Sequence, residues 1–289
     1  MSRAAQEQAE CKSIAVRASE FEMTERDFRF IAALIGKQAG IVLTSVKKPL
    51  VYGRLVRRLR ALRLSGFREY CELLEDGDGA EMEHFMNALT TNLTSFFREA
   101  RHFEYLQQTL LPRLLKQNHR KKLRIWSAGC STGEEPYSLA MTVAESLPSD
   151  WDIKILATDL DSQVIAKAVA GIYMQERCES INKRRIERWF QRGSGTQEGS
   201  IRVRQELREL ITFRTLNLLG PWPMTTSFDI IFCRNVVIYF DKPTQQVLFD
   251  RFADQLTPAG HLFVGHSETL YKVTERFNLL GNTIYSRVR

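Results

Sequence analysis

The sequence predicts an α/β protein, with a Rossmann-like, mostly parallel sheet carrying a small inserted β-subdomain, preceded by an all-α N-terminal domain. Three observations predict it. From Leu123 onward short apolar runs alternate with helical periodicities. Between the second and third of these runs about 50 residues intervene, where a crossover needs roughly a dozen. From Thr24 to about Leu89 the apolar spacing is helical only.

In order, MTERDFRFIAALIGKQAGI starts a helix with Thr24 as N-cap and Asp27 three residues on, and ends it at Gly40. PLVYGRLVRRLRALRLSGF sets Val51, Leu55, Leu59 and Leu62 on one helical face, with Arg54, Arg57, Arg58, Arg60 and Arg63 over the remainder. A third helix spans about Glu81 to Thr90, and Glu99 to Lys116 reads as a connecting helix. The strands follow: LRIWSAG, DIKILATDLD, ELITFRTLNLL, FDIIFCRNVVIYF and AGHLFVGHSE, with a helix after each of the first two and one from Pro243 after the fourth. FNLLGNTIYSRV carries a Gly-Asn turn between two apolar runs and adds a terminal antiparallel hairpin. Within the long crossover, Ile172 to Trp189 reads as helical, and RGSGTQEGSIRVRQEL as glycine turns beside a short strand.

The chain has 289 residues, 44% hydrophobic and 26% charged, enough to bury a substantial core. Residues 1–20 are polar without an apolar core of signal-peptide length, and no stretch approaches the roughly 18 uncharged residues of a membrane span. A cytoplasmic protein without direct membrane insertion is expected. Five scattered cysteines, Cys11, Cys71, Cys130, Cys178 and Cys233, form no CxxC pair and read as free thiols. The net charge of +7 points to an anionic partner without naming one.

The most informative stretch is IWSAGCSTGEEPYSLA, Ile125 to Ala140, which reads as strand, glycine turn, helix. A phosphate-binding Walker A loop needs Lys-Ser/Thr after its last glycine, and here Gly133 is followed by Glu134 and Glu135. A dinucleotide fingerprint needs GxGxxG, and no third glycine is in register. A pyrophosphate against two carboxylates would meet repulsion of about a kcal/mol or more per close pair. A nucleoside with a cationic head reverses the sign, and S-adenosylmethionine is such a ligand. Asp159, at the end of the second strand, stands where a carboxylate takes the ribose diol in this architecture.

TTNLTSFFRE, SAGCSTGEEPYSLA, NLL after the third strand, FCRNVVIYF and GHSE, in this order behind an arginine-rich helical domain, resemble the CheR family of chemotaxis-receptor glutamate methyltransferases from about Met23 to the C-terminus. The resemblance implies an S-adenosylmethionine methyltransferase sheet and esterification of glutamates on the cytoplasmic helical bundle of bacterial chemoreceptors, for sensory adaptation. It implies S-adenosyl-L-methionine as cofactor, S-adenosyl-L-homocysteine as product, and no metal. The domains expected are a disordered extension at 1–20, a helical domain at 21–95, a linker helix at 96–118 and the methyltransferase domain at 119–289, with the inserted subdomain at about 172–209. By resemblance the cofactor pocket is formed by Asn92, Thr94, Arg98, Glu135, Asp159, Asn217, Leu218, Arg234 and Asn235. Glu135 is expected to meet the methionyl end and Asn217 an adenine edge, with Glu134 a helix N-terminal charge.

An ionised glutamate needs no general base, so alignment and water exclusion should dominate catalysis. Arg98 and Tyr239 are the candidate catalytic residues: Arg98 to orient the acceptor carboxylate, Tyr239 to position the methyl group or donate to an acceptor oxygen. The GHSE run lacks a nucleophile elbow and the five histidines lack HExxH spacing, so both read as structural.

Arg54, Arg57, Arg58, Arg60 and Arg63 look like a docking stripe for an acidic receptor bundle. Arg192 and Arg202 match the family's arginines for a receptor C-terminal peptide, gripped by strand addition. A monomer without nucleic-acid partners is expected. The alternatives are an RNA methyltransferase, for which no aromatic-rich RNA-reading motif is present, and a catalytically silent receptor-binding adaptor, against which Arg98, Glu135, Asp159 and Tyr239 all speak.

Overall fold

A computed structural model describes residues 20–77 and 79–288; the extension expected at 1–20 falls, apart from Glu20, outside them, as does Cys11. The chain divides into two compact units, one taking it up to Leu34 together with Leu43–Ala88, the other Ile35–Val42 with Leu89–Arg289.

In the first unit, the capping box expected at Thr24 is present. The Thr24 amide donates to Asp27 Oδ2 at 2.9 Å and the Asp27 amide to Thr24 Oγ1 at 3.2 Å, which satisfies two otherwise unpaired donors at the start of α1 (Glu25–Ala39). α2 (Lys48–Leu62) carries a proline in its first turn and stops at Arg63 in the left-handed conformation. Its Val51, Leu55, Val56 and Leu59 are buried. α3 (Phe67–Glu75) was not separately foreseen, although Phe67, Tyr70, Cys71 and Leu74 recur at helical spacing and are all buried. α4 (Gly79–Leu89) completes the unit's helices.

The arginines of α2 do not form one open stripe. Arg57, Arg60 and Arg63 are exposed, Arg54 and Arg58 half-buried. Arg58 turns inward: Nε meets Glu81 Oε1 at 3.0 Å and Nη2 meets Oε2 at 2.5 Å, while the Tyr70 hydroxyl donates to the same carboxylate. Glu81 is 3% exposed, so this pair is structural, and Arg60 is paired with Glu20. Arg58→Ala would leave a buried carboxylate without its cation, and is expected to destabilise the protein by about 3 kcal/mol in a reversible melt.

The second unit is built on a seven-stranded sheet, β1 (Lys122–Ala128), β2 (Asp152–Asp159), β6 (Ile211–Thr215), β7 (Phe228–Cys233), β8 (Leu256–Val264), β9 (Phe277–Gly281) and β10 (Ile284–Arg287), in the order β6-β2-β1-β7-β8-β10-β9. The first five are parallel, and β10 runs antiparallel to both β8 and β9, as the Gly-Asn turn predicted. Alternate residues feed two cores, Leu123 and Ile125 packing on one face of the sheet and Trp126 and Ala128 on the other. Chain order reverses between β1 and β7, the place where open parallel sheets hold ligands at their carboxyl ends.

The expected connecting helix is interrupted. α5 (Ala100–Tyr105) passes through a π turn at Leu106–Leu110 into α6 (Leu111–Gln117). Pro112 explains it, because a proline ring forbids the regular bond to the preceding turn. α7 (Glu134–Ser146) follows β1, and α8 (Ser162–Ala170) follows β2 with Asp161 as N-cap.

The inserted region is a separate antiparallel sheet of β3 (Ile172–Met174), β5 (Ser200–Val203) and β4 (Phe190–Arg192), in that order. This corrects the reading of Ile172 to Trp189 as one helix: only α9 (Lys183–Trp189) is α-helical. Gly171, at φ 62°, ends α8 and turns the next residues into pairing with β5. Arg202 stands opposite Ile172 and Gln191, and Arg192 opposite Ile201. Because side chains alternate along a strand, the two exposed arginines point to opposite faces of this small sheet. A short helix α10 (Gln205–Arg208) leads into β6, and α11 (Lys242–Gln255) joins β7 to β8. Cys71, Cys130, Cys178 and Cys233 are buried free thiols. Among the described residues no helix is long and apolar enough to cross a membrane.

Candidate active site

At the carboxyl ends of β1, β2, β6 and β7 lies a cavity open to solvent, with about 970 Å³ of empty space when its open mouth is included. Asn92, Thr94, Arg98, Glu135, Asp159, Asn217, Leu218, Arg234, Asn235 and Tyr239 all line it, from segments up to about 150 residues apart. The cofactor and catalytic candidates thus share one wall system. The arginines of α2, and Arg192 and Arg202, are not among its lining residues.

The glycine turn is closed to phosphate by its own backbone. The amides of Gly129 and Cys130 both donate to Thr158 O, at 2.8 and 2.9 Å, that of Gly133 to Cys130 O at 3.1 Å, and that of Ser131 to Asp159 Oδ2 at 2.8 Å. A phosphate loop needs such groups pointing at the ligand. Gly129, at φ 94°, brings the backbone against Val236, whose Cγ2 would lie 2.3 Å from any added Cβ.

The two glutamates part company. Glu134 is fully buried away from the cavity, accepting from Thr132 Oγ1 at 2.6 Å and facing Arg177 Nη2 at 2.9 Å. It stands in the first turn of α7, as expected of a helix N-terminal charge, and is in addition an internal clasp. Glu135 lines the cavity with both oxygens engaged, Oε1 by Ser127 Oγ and Oε2 by Arg234 Nε, each at 2.7 Å.

Arg234 is itself held in a buried chain. Its Nη1 donates to Arg98 O at 2.6 Å and lies 3.2 Å from His102 Nδ1. His102 Nε2 is 2.7 Å from the carbonyl oxygen of Asn282, so the proton sits on Nε2 and Nδ1 accepts from the guanidinium. Glu99, His102 and His266 could bring ligand atoms within 4.8 Å of one another, but Arg234 already occupies the Nδ1 side of that cluster, and a guanidinium opposes a second cation.

Burial, and after it the Arg234 charge, push His102 down to about 4. The unfolded chain would take up a proton near the ordinary 6.5. Stability is therefore full above that value and falls as the pH drops through the window towards 4, by up to about 1.4 kcal/mol per unit. Denaturation midpoints followed down this range should show the loss, and His102→Gln should lack that component.

Asp159 is half-buried, its Oδ2 accepting from Ser131 N and its Oδ1 from Asp161 N at 3.0 Å. Burial raises its pKa, and these amides oppose the rise. Asn217 is anchored at both ends, Nδ2 donating to Gln38 O at 2.6 Å and Oδ1 accepting from Leu219 N at 3.0 Å, which leaves its second N–H uncommitted in the wall. Asn92 likewise donates to Thr90 Oγ1 and Asp161 Oδ2. Arg98 Nη1 donates to Leu93 O at 2.8 Å, and among the described residues no carboxylate pairs with it.

The family model for the CheR methyltransferase SAM binding domain matches residues 92–286, which include all ten cavity residues named above. The chain belongs to the CheR methyltransferase family. The model for the CheR methyltransferase all-alpha domain matches residues 26–90. Similarity to chemotaxis protein methyltransferases extends over nearly the whole chain. The chemotaxis protein methyltransferase of Escherichia coli (strain K12) is 47% identical, over 92% of this chain and 94% of that protein. That of Salmonella typhimurium is 46% identical over 91% of each, and chemotaxis protein methyltransferase 2 of Pseudomonas aeruginosa is 47% identical over 92% of this chain and 95% of its own length. As a CheR methyltransferase the protein uses S-adenosylmethionine to methylate in chemotaxis. The cavity fits that cofactor: its turn amides are closed to phosphate, and Asp159, at the end of β2, is held by the amides of Ser131 and Asp161.

Proposed function

We propose that the protein esterifies glutamate side chains on the cytoplasmic helical bundle of bacterial chemoreceptors, acting in the cytoplasm. One observation carries this reading. Once Arg234 is paired with Glu135, Arg98 is the cavity guanidinium without a carboxylate partner among the described residues, and a methyl acceptor that is itself a carboxylate supplies one.

Bound S-adenosylmethionine supplies an electrophilic methyl group on a sulfonium. Asp159 would hold the ribose diol, while Glu135, locked by Ser127 and Arg234, presents negative charge towards the methionyl end. Asn92, Thr94, Asn217, Leu218 and Asn235 shape the remaining wall. Arg98 orients the acceptor carboxylate through its planar fork, and Tyr239 aligns the reacting groups. The acceptor is ionised at neutral pH, so no residue has to remove a proton. Receptor fragments with glutamine in place of the acceptor glutamates are expected to take up no methyl group; equal uptake would refute the assignment.

For docking, Arg57 and Arg63 are the exposed cations on or beside α2 for which an acidic bundle is the natural partner, with Arg54 and Arg60 beside them. Transfer to receptor fragments should fall steeply between low and high salt, and an unchanged rate would remove docking by charge. The small sheet could add a receptor C-terminal peptide along an edge strand, with Arg192 and Arg202 each able to meet it from one face only. Titration with such a peptide tests this contact, and absence of binding would remove it without touching the chemistry.

A further inference from the structure

Glu268 belongs to the GHSE run after β8 and does not line the cavity, yet it is 4% exposed and surrounded by backbone amides. Its Oε2 accepts from Asn235 N at 2.8 Å and Gly265 N at 2.5 Å, and its Oε1 from Ile238 N at 3.4 Å. Two of these three donors, the Asn235 and Ile238 amides, belong to the loop that follows β7. Gln245 of α11 treats the same loop in the opposite sense, donating through Nε2 to Val237 O at 2.9 Å and Phe240 O at 3.0 Å. One buried carboxylate thus receives the loop's N–H groups and one buried amide serves its carbonyls.

The loop needs such support. Beyond a single 3₁₀ turn at Val237–Tyr239 it has no regular pairing, and Asn235 sits in the left-handed conformation at φ 58°. The approach of Glu268 depends on Gly265, where an added Cβ would lie 2.5 Å from Asn235 Nδ2 and 2.9 Å from Glu268 Oε2. This loop delivers Asn235, Val236 and Tyr239 to the cavity wall.

We propose that Glu268 is a positioning residue for methyl transfer, its carboxylate fixing the loop that aims Asn235 and Tyr239 at the reacting groups. The proposal rests on the placement of Tyr239 at the reacting centre. Glu268→Gln keeps the shape but turns an N–H pair towards N–H donors. It is expected to speed amide hydrogen exchange at Asn235 to Ile238 about tenfold or more while leaving the sheet unchanged. It should also lower kcat about 10- to 100-fold, with KM for a receptor fragment within about threefold. Should that variant not fold, Glu268→Asp, which keeps the charge and shortens the reach, is expected to show the same pattern at smaller size. Faster exchange with unchanged kcat would overturn the positioning role, as would a lowered kcat with unchanged exchange. The exchange measurement needs no substrate, so failure of the substrate assignment shows itself separately, as wild-type protein that transfers no methyl group to the fragment.

Discussion

Arg98→Ala is expected to lower kcat for methyl transfer about 100-fold, with a smaller loss of cofactor affinity. Arg234 and Arg98 both line the cavity, but Arg234 is already bonded to Glu135, the Arg98 carbonyl and His102. Arg98 keeps one hydrogen bond, to the Leu93 carbonyl, which leaves the rest of its fork for a carboxylate. In a reaction that neutralises charge, the acceptor's orientation is what a fixed cation can supply, and misalignment is costly. Single-turnover rates at saturating cofactor check this; a rate within twofold of wild type would remove Arg98 from the chemistry. A loss confined to cofactor affinity would reassign it to the methionyl carboxylate.

The second large effect is expected at Asp159. Asp159→Ala should weaken S-adenosylhomocysteine binding about 100-fold or more, since each hydrogen bond to a charged group contributes about 1.5–3 kcal/mol and a diol makes two. The variant also leaves the Ser131 and Asp161 amides without their acceptor, so the turn itself is loosened. Calorimetric titration measures it, and a dissociation constant within threefold of wild type would contradict the assignment of the ribose to this carboxylate.

The sheet was legible in the sequence because parallel strands buried on both faces leave long apolar runs, and because Thr24 with Asp27, or Gly281 with Asn282, are local signals acting over a few residues. Asp159 was legible for the same reason: a strand end fixes where its last side chain lies. Glu134 and Glu135 were separable only through the family resemblance, since neighbours in a first helical turn point about 100° apart and spacing alone does not say which way the turn faces. Exclusion of phosphate rests less on those two charges than on four backbone amides already bonded within the turn and to the end of β2. Arg58 shows a similar limit, because its partner Glu81 lies 23 residues on, in another helix.

The supporting side chains were the least legible. His102 and Glu268 act on Arg234 and Asn235 across 132 and 33 residues, with no periodicity to connect them. The small sheet hid β3 for a different reason: a three-residue strand has too little length to show alternation, and only Gly171 marked the break.

The central claim is that carboxylates are the acceptors, and one measurement reaches it directly. The protein is incubated with methyl-labelled S-adenosylmethionine and the cytoplasmic fragment of a chemoreceptor, and the labelled fragment is then exposed to mild base. Carboxyl methyl esters release their label as methanol, whereas methylated nitrogen retains it. Incorporated label that is lost in base is the expected result; label that survives base, or a fragment that takes up none, would contradict the account.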